Sequence, residues 1–106
     1  MKNFQIAGYV GITPELKNSN DTNYTNLRVA TRARNGKTDW FTIAVFDKLA
    51  ENVAKHVTKG TAVGVTGELR VNKYQGKETI QLIASKVDFL GKGKGEGEED
   101  DSKVPF

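Results

Sequence analysis

One dipeptide, Asn35-Gly36, constrains the fold of this chain most strongly, because alternating segments flank it on both sides. Asn-Gly is a strong signal for a short hairpin, since both residues tolerate the positive φ angles of a tight turn. Residues 24–34 and 38–46 alternate with the two-residue period of a half-buried strand. The sequence therefore predicts two long antiparallel strands, each with a core face and an outer face.

The two faces of this hairpin differ in chemistry. The core parity carries Leu27, Val29, Phe41, Ile43 and Val45. The opposite parity carries three arginines and two large aromatic residues: Arg28, Arg32, Arg34, Trp40 and Phe46. Bases of a single strand stack on aromatic rings, and guanidinium groups bind phosphates or stack on rings. This outer face is therefore a candidate site for single-stranded nucleic acid; the alternative is that Trp40 and Phe46 pack beneath a loop or against another subunit.

The remaining segments predict one helix and three more strands. Residues 3–12 form the first strand, with Phe4, Ile6, Val10 and Ile12 on its core side. Residues 18–23 are polar and predict a turn. Residues 47–57 predict a helix with Asp47 as N-cap and an apolar stripe of Leu49, Val53 and Val57.

The last two strands are predicted at residues 61–73 and 78–90, with a turn between them. Their expected core positions are Val63, Val65, Leu69, Val71, Ile80, Leu82, Val87 and Phe89. The core parity changes within the final strand, which indicates a bulge near Ser85. Three strands, a helix and two strands, in this order, match an all-β OB-fold, a five-stranded Greek-key barrel with a helix between strands 3 and 4.

The composition divides the chain into two parts. We expect the barrel to occupy residues 1–91, and residues 92–106 to form a flexible tail, because glycine and charged residues cannot build a core. Residues 1–95 carry 15 Lys and Arg against eight Asp and Glu, a net +7, whereas residues 96–106 carry −4. A basic body is typical of a protein that binds a polyanion, although an ordinary solvated surface has a similar composition.

No motif in the sequence indicates catalysis. His56 is the only histidine and lies in the predicted helix, and no metal-binding or phosphate-binding motif occurs. We therefore expect no enzymatic activity, no metal site and no cofactor. The absence of cysteine and of a long apolar segment favours a soluble cytoplasmic protein with no membrane partner.

Four segments of the chain resemble the bacterial single-stranded DNA-binding protein family. Residues 3–16, 38–54 and 59–70 are similar to that family's first strand, helix entry and fourth strand. Residues 98–106 are similar to its acidic tail, which ends in Pro-Phe. The resemblance implies that bases stack on Trp40, Phe46 and Tyr74, and that Lys48, Arg70 and Lys73 lie near the DNA.

The resemblance also implies a function. It implies sequence-tolerant binding and protection of single-stranded DNA during replication, repair or recombination, by a nucleoid-associated homotetramer. Replication and repair proteins would bind the tail through Asp100, Asp101, Val104, Pro105 and Phe106. Three alternatives remain open: an RNA-binding or primosome-type OB protein, an oligomeric scaffold for protein interactions, and a tail that serves only solubility.

The chain departs from the family pattern at three places. The hairpin at residues 34–37 is short, and a stacking aromatic residue often found before it has no counterpart; Arg32 or Arg34 would partly replace it. The linker before the acidic tail is only a few residues long, which shortens the reach of the tail. Lys103 interrupts the acidic run, so we expect weaker partner docking than an all-acidic tail would give.

Overall fold

The hairpin at Asn35-Gly36 is present in the computed structural model, which describes residues 2–91. Its strands are β3 (Thr22–Arg32) and β4 (Thr38–Phe46), paired in register from Tyr24 with Phe46 to Arg32 with Thr38. Gly36 makes the turn with a φ of +85°, which a residue with a Cβ rarely adopts. The N–H of Ala33 donates to the carbonyl of Lys37 at 2.7 Å and closes the loop.

The other described elements complete a closed barrel. They are β1 (Asn3–Val10), β2 (Lys17–Ser19), α1 (Asp47–His56), β5 (Ala62–Tyr74) and β6 (Lys77–Gly91). Neighbouring strands follow the order β1-β5-β6-β4-β3-β2, and β1 also pairs with β3, which closes the ring. Five long strands with a helix before the last two are the predicted OB-fold. The predicted tail at residues 92–106 lies outside the described residues.

The core lies inside this ring and beneath the helix. Leu27, Val29, Ile43, Val45, Val53, Val57, Val63 and Val65 are all buried. α1 contacts β3, β4 and β6, and Leu49, Val53 and the C-cap residue Val57 pack against the core as the i, i+4, i+8 spacing predicts. Burying one such side chain contributes about 1.5–3 kcal/mol before conformational entropy is counted. The core therefore holds β3 and β4 firmly and fixes which side chains face outward.

The bulge predicted near Ser85 is confirmed. Thr66 pairs with Lys86 and Gly67 pairs with Ala84, so Ser85 has no partner on β5. The bulge returns Val87 to the core after Leu82. Gly67 is required opposite the bulge, because a Cβ there would overlap the carbonyl of Ile83.

Two expectations about local structure are wrong. Phe46, not Asp47, is the N-cap of α1, and no side chain caps the helix. Asp47 is instead the first helical residue, with a φ of +56°, because β4 continues into α1 without a loop. The turn predicted within residues 18–23 is confirmed at Asn20 and Asp21, which have positive φ and join β2 to β3.

The second error concerns the ends of the barrel. Val71 and Ile80 pair across β5 and β6 but are 50% and 68% exposed. The end of this hairpin, residues 70–81, extends past the barrel and is called the arm below. Ile12 lies beyond the end of β1, and Phe89 lies near the end of β6; both are exposed.

Among the described residues, no helix has the length and apolar character needed to cross a membrane.

Candidate nucleic-acid interface

The register of β3 and β4 places the predicted aromatic and basic side chains on one outer face. Arg28 lies opposite Thr42, Ala30 lies opposite Trp40, and Tyr24 lies opposite Phe46. Trp40 is 47% exposed and Phe46 is 37% exposed, whereas their neighbours Ile43 and Val45 are buried. Six residues along a strand span about 20 Å, so the backbone positions of Trp40 and Phe46 are about 20 Å apart.

The Trp40 ring is held by contacts on its own face of the sheet. The guanidinium carbon of Arg28 lies 5.3 Å from the ring centroid, within the range of a cation–π contact. Nη1 of Arg28 also donates to Oγ1 of Thr42 at 3.0 Å. The ring lies over Gly11, where a Cβ would overlap Cζ3 of the indole. Trp40 is thus exposed yet positioned, as a stacking platform requires.

Small side chains separate the two aromatic residues of β4. Thr42 and Ala44 have the same parity as Trp40 and Phe46, and Ala30 lies directly opposite Trp40. Such short side chains leave room above the sheet for flat groups lying on the rings. This face can therefore accept stacked bases in a row, with Arg28 available to a phosphate.

The other predicted basic residues surround this face to different extents. Arg32 ends β3 opposite Thr38, and Arg34 lies in the hairpin loop; both are exposed. Lys48 is the second residue of α1, two positions after Phe46, and is exposed. These three cations lie near the two ends of the row of aromatic residues, where they can contact a backbone that continues past the rings.

The outer face continues across β6 to β5. Ala44 pairs with Ile83, which in turn pairs with Glu68. Arg70 has the parity of Glu68, and its Nε lies 3.7 Å from Oε1 of that residue. The two side chains are 59% and 50% exposed. The ion pair therefore contributes no more than about 1 kcal/mol to stability.

The arm carries the last two predicted residues. Tyr74, at its tip opposite Lys77, is 74% exposed and shares the parity of Arg70. Lys73 has the opposite parity, and its Nζ lies 3.6 Å from Oε2 of Glu78. The structure therefore brings Arg70 and Tyr74 to one side of the arm but not Lys73. The predicted tail residues Asp100, Asp101, Val104, Pro105 and Phe106 lie outside the described residues.

Sequence reasoning missed three side chains beside this face. Tyr24 lies opposite Phe46 in the register of β3 and β4, and Lys17 lies opposite Tyr24 on the other side. Tyr9 pairs with Ala30, whose other neighbour is Trp40. The parity of β3 could have identified Tyr24, since Tyr24, Asn26 and Arg28 alternate with buried residues. The partners of Lys17 and Tyr9 depend on strand pairings that the sequence does not specify.

A cleft adjoins the face next to Arg28. It has a volume of about 340 Å³ and lies between the residues after β1 and the β3–β4 sheet. Its lining includes Ile12, Pro14, Lys17, Asn26, Arg28 and Thr42.

Within residues 2–91, no group of three His, Asp or Glu side chains is placed to hold a metal ion.

The closed barrel and its outer face define an OB-fold protein with an aromatic and basic sheet surface of the kind that carries nucleic acid. The chain belongs to the single-strand binding protein family, whose profile matches residues 1–90. A single-stranded DNA-binding protein from Nostoc is 34% identical over 102 residues, covering 81% of this chain and 86% of the relative. One from Clostridium acetobutylicum is 34% identical over 103 residues, covering 85% and 94%.

The fold has a solved counterpart. A mitochondrial single-stranded DNA-binding protein from S. cerevisiae superposes with a TM-score of 0.73 at 27% identity. The match covers 88% of this chain and 97% of that one. The barrel is therefore shared with proteins named for binding single-stranded DNA.

Proposed function

We propose that this protein binds and protects single-stranded DNA without sequence preference during replication, repair or recombination. The observation that carries the proposal is the exposed Trp40 ring, which lies over Gly11 and in contact with Arg28 on the outer face of β3–β4. Stacking on a ring tolerates every base, because every base has a flat π face. Family membership and the names of the relatives support the same function. Binding, rather than catalysis, accounts for this surface.

Binding to oligo-dT tests this proposal. Arginine and lysine contacts release counterions, so the logarithm of the binding constant should fall linearly with the logarithm of salt concentration, by about 0.7 per contacted phosphate. Oligonucleotides of mixed sequence should bind within about tenfold of oligo-dT, and duplex DNA should bind far more weakly. An affinity that does not respond to salt, or a preference for duplex, would contradict the proposal.

The nearest alternative is an RNA-binding barrel of the same fold. Nothing in the geometry of Trp40 and Phe46 distinguishes the two sugars, since stacking uses only the base. A competition between oligo-dT and oligo-U decides between them: preference for oligo-dT supports the DNA proposal, and preference for oligo-U supports the alternative. A pure interaction scaffold would bind neither.

We further propose that the protein is a homo-oligomer, with a tetramer as the expected state. β1 pairs with β5 along Asn3 to Tyr9, but on its other edge only Tyr9 and Val10 pair with β3. Within residues 2–91, alternate backbone groups of residues 3–8 on this edge therefore have no strand partner, which favours addition of a strand from another copy. Light scattering of the intact chain should give about four times the chain mass; the mass of a monomer at micromolar concentration would contradict this.

We propose that the barrel, residues 1–91, and the tail, residues 92–106, have separate roles. The tail carries Val104-Pro105-Phe106 after an acidic run, so Phe106 can enter an apolar pocket of a replication or repair protein while the acidic side chains meet basic ones. Deleting Pro105 and Phe106 should abolish capture of such partners and leave oligo-dT affinity unchanged. Equal capture by the deletion variant would make the tail a solubilising segment. The protein acts in the cytoplasm at the nucleoid, where single-stranded DNA is exposed.

A further inference from the structure

The indole of Trp40 lies on a glycine that the backbone conformation does not require. Gly11 follows β1, and its φ lies outside the positive region that favours glycine. A Cβ built at this position would overlap Cζ3 of Trp40 and lie 2.6 Å from Cη2. The three atoms nearest to that Cβ all belong to the Trp40 ring. A side chain at position 11 would therefore displace the ring rather than meet the backbone.

Gly11 is itself held in place by backbone hydrogen bonds. Its N–H donates to the carbonyl of Arg28 at 2.8 Å. The preceding residue, Val10, donates to the carbonyl of Thr61 at 2.9 Å and accepts from the N–H of Gly60 at 2.7 Å. The backbone of Val10 and Gly11, beneath the indole, is thus hydrogen-bonded both to β3 and to the turn before β5.

Arg28 contacts both Gly11 and Trp40. Its carbonyl holds Gly11, while its guanidinium lies 5.3 Å from the centroid of the Trp40 ring and bonds to Thr42. The ring is consequently restrained by Gly11 and by Arg28. An exposed tryptophan without such restraints would sample several rotamers and would lose that freedom on binding a base.

We propose that Gly11 is a positioning residue for base stacking: its lack of a side chain, together with Arg28, fixes the Trp40 ring on the outer face before DNA binds. This inference rests on the proposed function, because it assumes that bases stack on Trp40. It assigns to the segment after β1 a role in DNA affinity that involves no contact with DNA. The affinity gained comes from ordering the ring in advance.

Replacing Gly11 by alanine tests the inference, with Gly64→Ala as the matched control. Gly64 also lacks a positive φ, and a Cβ there would meet only Cδ1 of Leu90 at an ordinary 3.7 Å. In the free protein, Gly11→Ala should shift the emission of Trp40, the single tryptophan, and raise its quenching by acrylamide. Oligo-dT affinity should fall about five- to tenfold. Gly64→Ala should change neither.

A smaller ring provides the second test. Phenylalanine at position 40 lacks the outer indole atoms Cζ3 and Cη2 that the new Cβ would meet. Gly11→Ala should therefore be tolerated in a Trp40→Phe background, with the same melting temperature and the same oligo-dT affinity as Trp40→Phe alone. This comparison decides the matter even if Gly11→Ala does not fold by itself.

Two results would overturn the inference. One is unchanged Trp40 emission and oligo-dT affinity in Gly11→Ala. The other is an equal loss of affinity or stability from Gly11→Ala in the parent and in Trp40→Phe, because Gly11 would then act independently of the ring. Failure of the proposed function looks different: Trp40→Ala would bind oligo-dT like the parent, while the emission of free Gly11→Ala still reports whether Gly11 positions the ring.

Discussion

The guanidinium carbon of Arg28 lies 5.3 Å from the centroid of the Trp40 ring, and Nη1 of the same side chain donates to Thr42 at 3.0 Å. The principal cation and the principal ring of the outer face are therefore in direct contact. A base stacked on Trp40, as proposed, would meet the positive charge of Arg28 at its edge, close to its own phosphate. The proposal therefore places stacking and charge neutralisation at one position on the sheet.

Replacing Arg28 separates these two contributions. Arg28→Gln removes the charge and should reduce the salt dependence of oligo-dT binding by about one phosphate contact, a slope change of about 0.7. Arg28→Lys keeps the charge but loses the planar contact with Trp40, which is worth about 0.5–1 kcal/mol at an exposed site. Its salt dependence should match the parent, with affinity about two- to fivefold lower. Equal slopes for Arg28→Gln and the parent would show that Arg28 contacts no phosphate.

Removing the negative charge beside Arg70 should strengthen binding. Glu68 lies on the outer face with its Oε1 3.7 Å from Nε of Arg70. Glu68→Gln should raise oligo-dT affinity about two- to fivefold at low salt, and screening should abolish the gain at high salt. Glu78→Gln is the matched control, because Glu78 pairs with Lys73 on the other side of the arm. A larger gain in oligo-dT affinity from Glu78→Gln would mean that DNA binds the side of the arm that carries Lys73 and Glu78.

The entry into α1 gives a prediction about stability. Asp47 has a φ of +56°, which asparagine, aspartate and glycine tolerate and β-branched residues do not. Asp47→Val should lower the free energy of unfolding by about 1–2 kcal/mol in urea titrations, whereas Asp47→Asn should be nearly neutral. Lys55→Val, at an exposed position in the same helix, should cost about 0.5 kcal/mol. Equal losses for the two valine variants would mean that Asp47 is not strained.

Much of this fold could be predicted because alternation records which side of a strand is buried. The strand at Thr38–Phe46 has the predicted bounds, since every second residue from Phe41 onward faces the core. The change of parity around Ser85 likewise indicated a bulge, because an extra residue must exchange the two faces. Such inferences succeed where one face of a strand is covered.

The remaining features depend on tertiary context that alternation does not record. Val71 and Ile80 continue the core parity of their strands, yet they lie on the arm beyond the barrel, where nothing in the described chain covers them. β2 contains only exposed residues and so gives no apolar pattern. Within the candidate site, Trp40 and Arg28 could be placed on one face by parity. The contact of Trp40 with Gly11 joins residues far apart in sequence and could not be foreseen.

The bulge at Ser85 can be tested by deletion. Deleting Ser85 should remove the bulge but keep Val87 in the core, because Gly67 then still faces Ala84 and Thr66 still faces Lys86 in a regular ladder. The free energy of unfolding should fall by less than about 2 kcal/mol, since no core side chain leaves the core. Ser85→Ala, which keeps the extra residue, should change stability by less than about 0.5 kcal/mol. A deletion variant that fails to fold would show that the bend at the bulge is needed to close the barrel.

Titration of the intact protein with oligo-dT, followed through the emission of Trp40, tests the central claim most directly. Because Trp40 is the single tryptophan and 47% exposed, its emission reports on this face alone. Stacked bases should quench it strongly and saturably, and Trp40→Ala should weaken binding by about 1–3 kcal/mol without lowering the melting temperature. Oligo-dT binding that leaves the emission of Trp40 unchanged, with equal affinity in Trp40→Ala, would contradict the account.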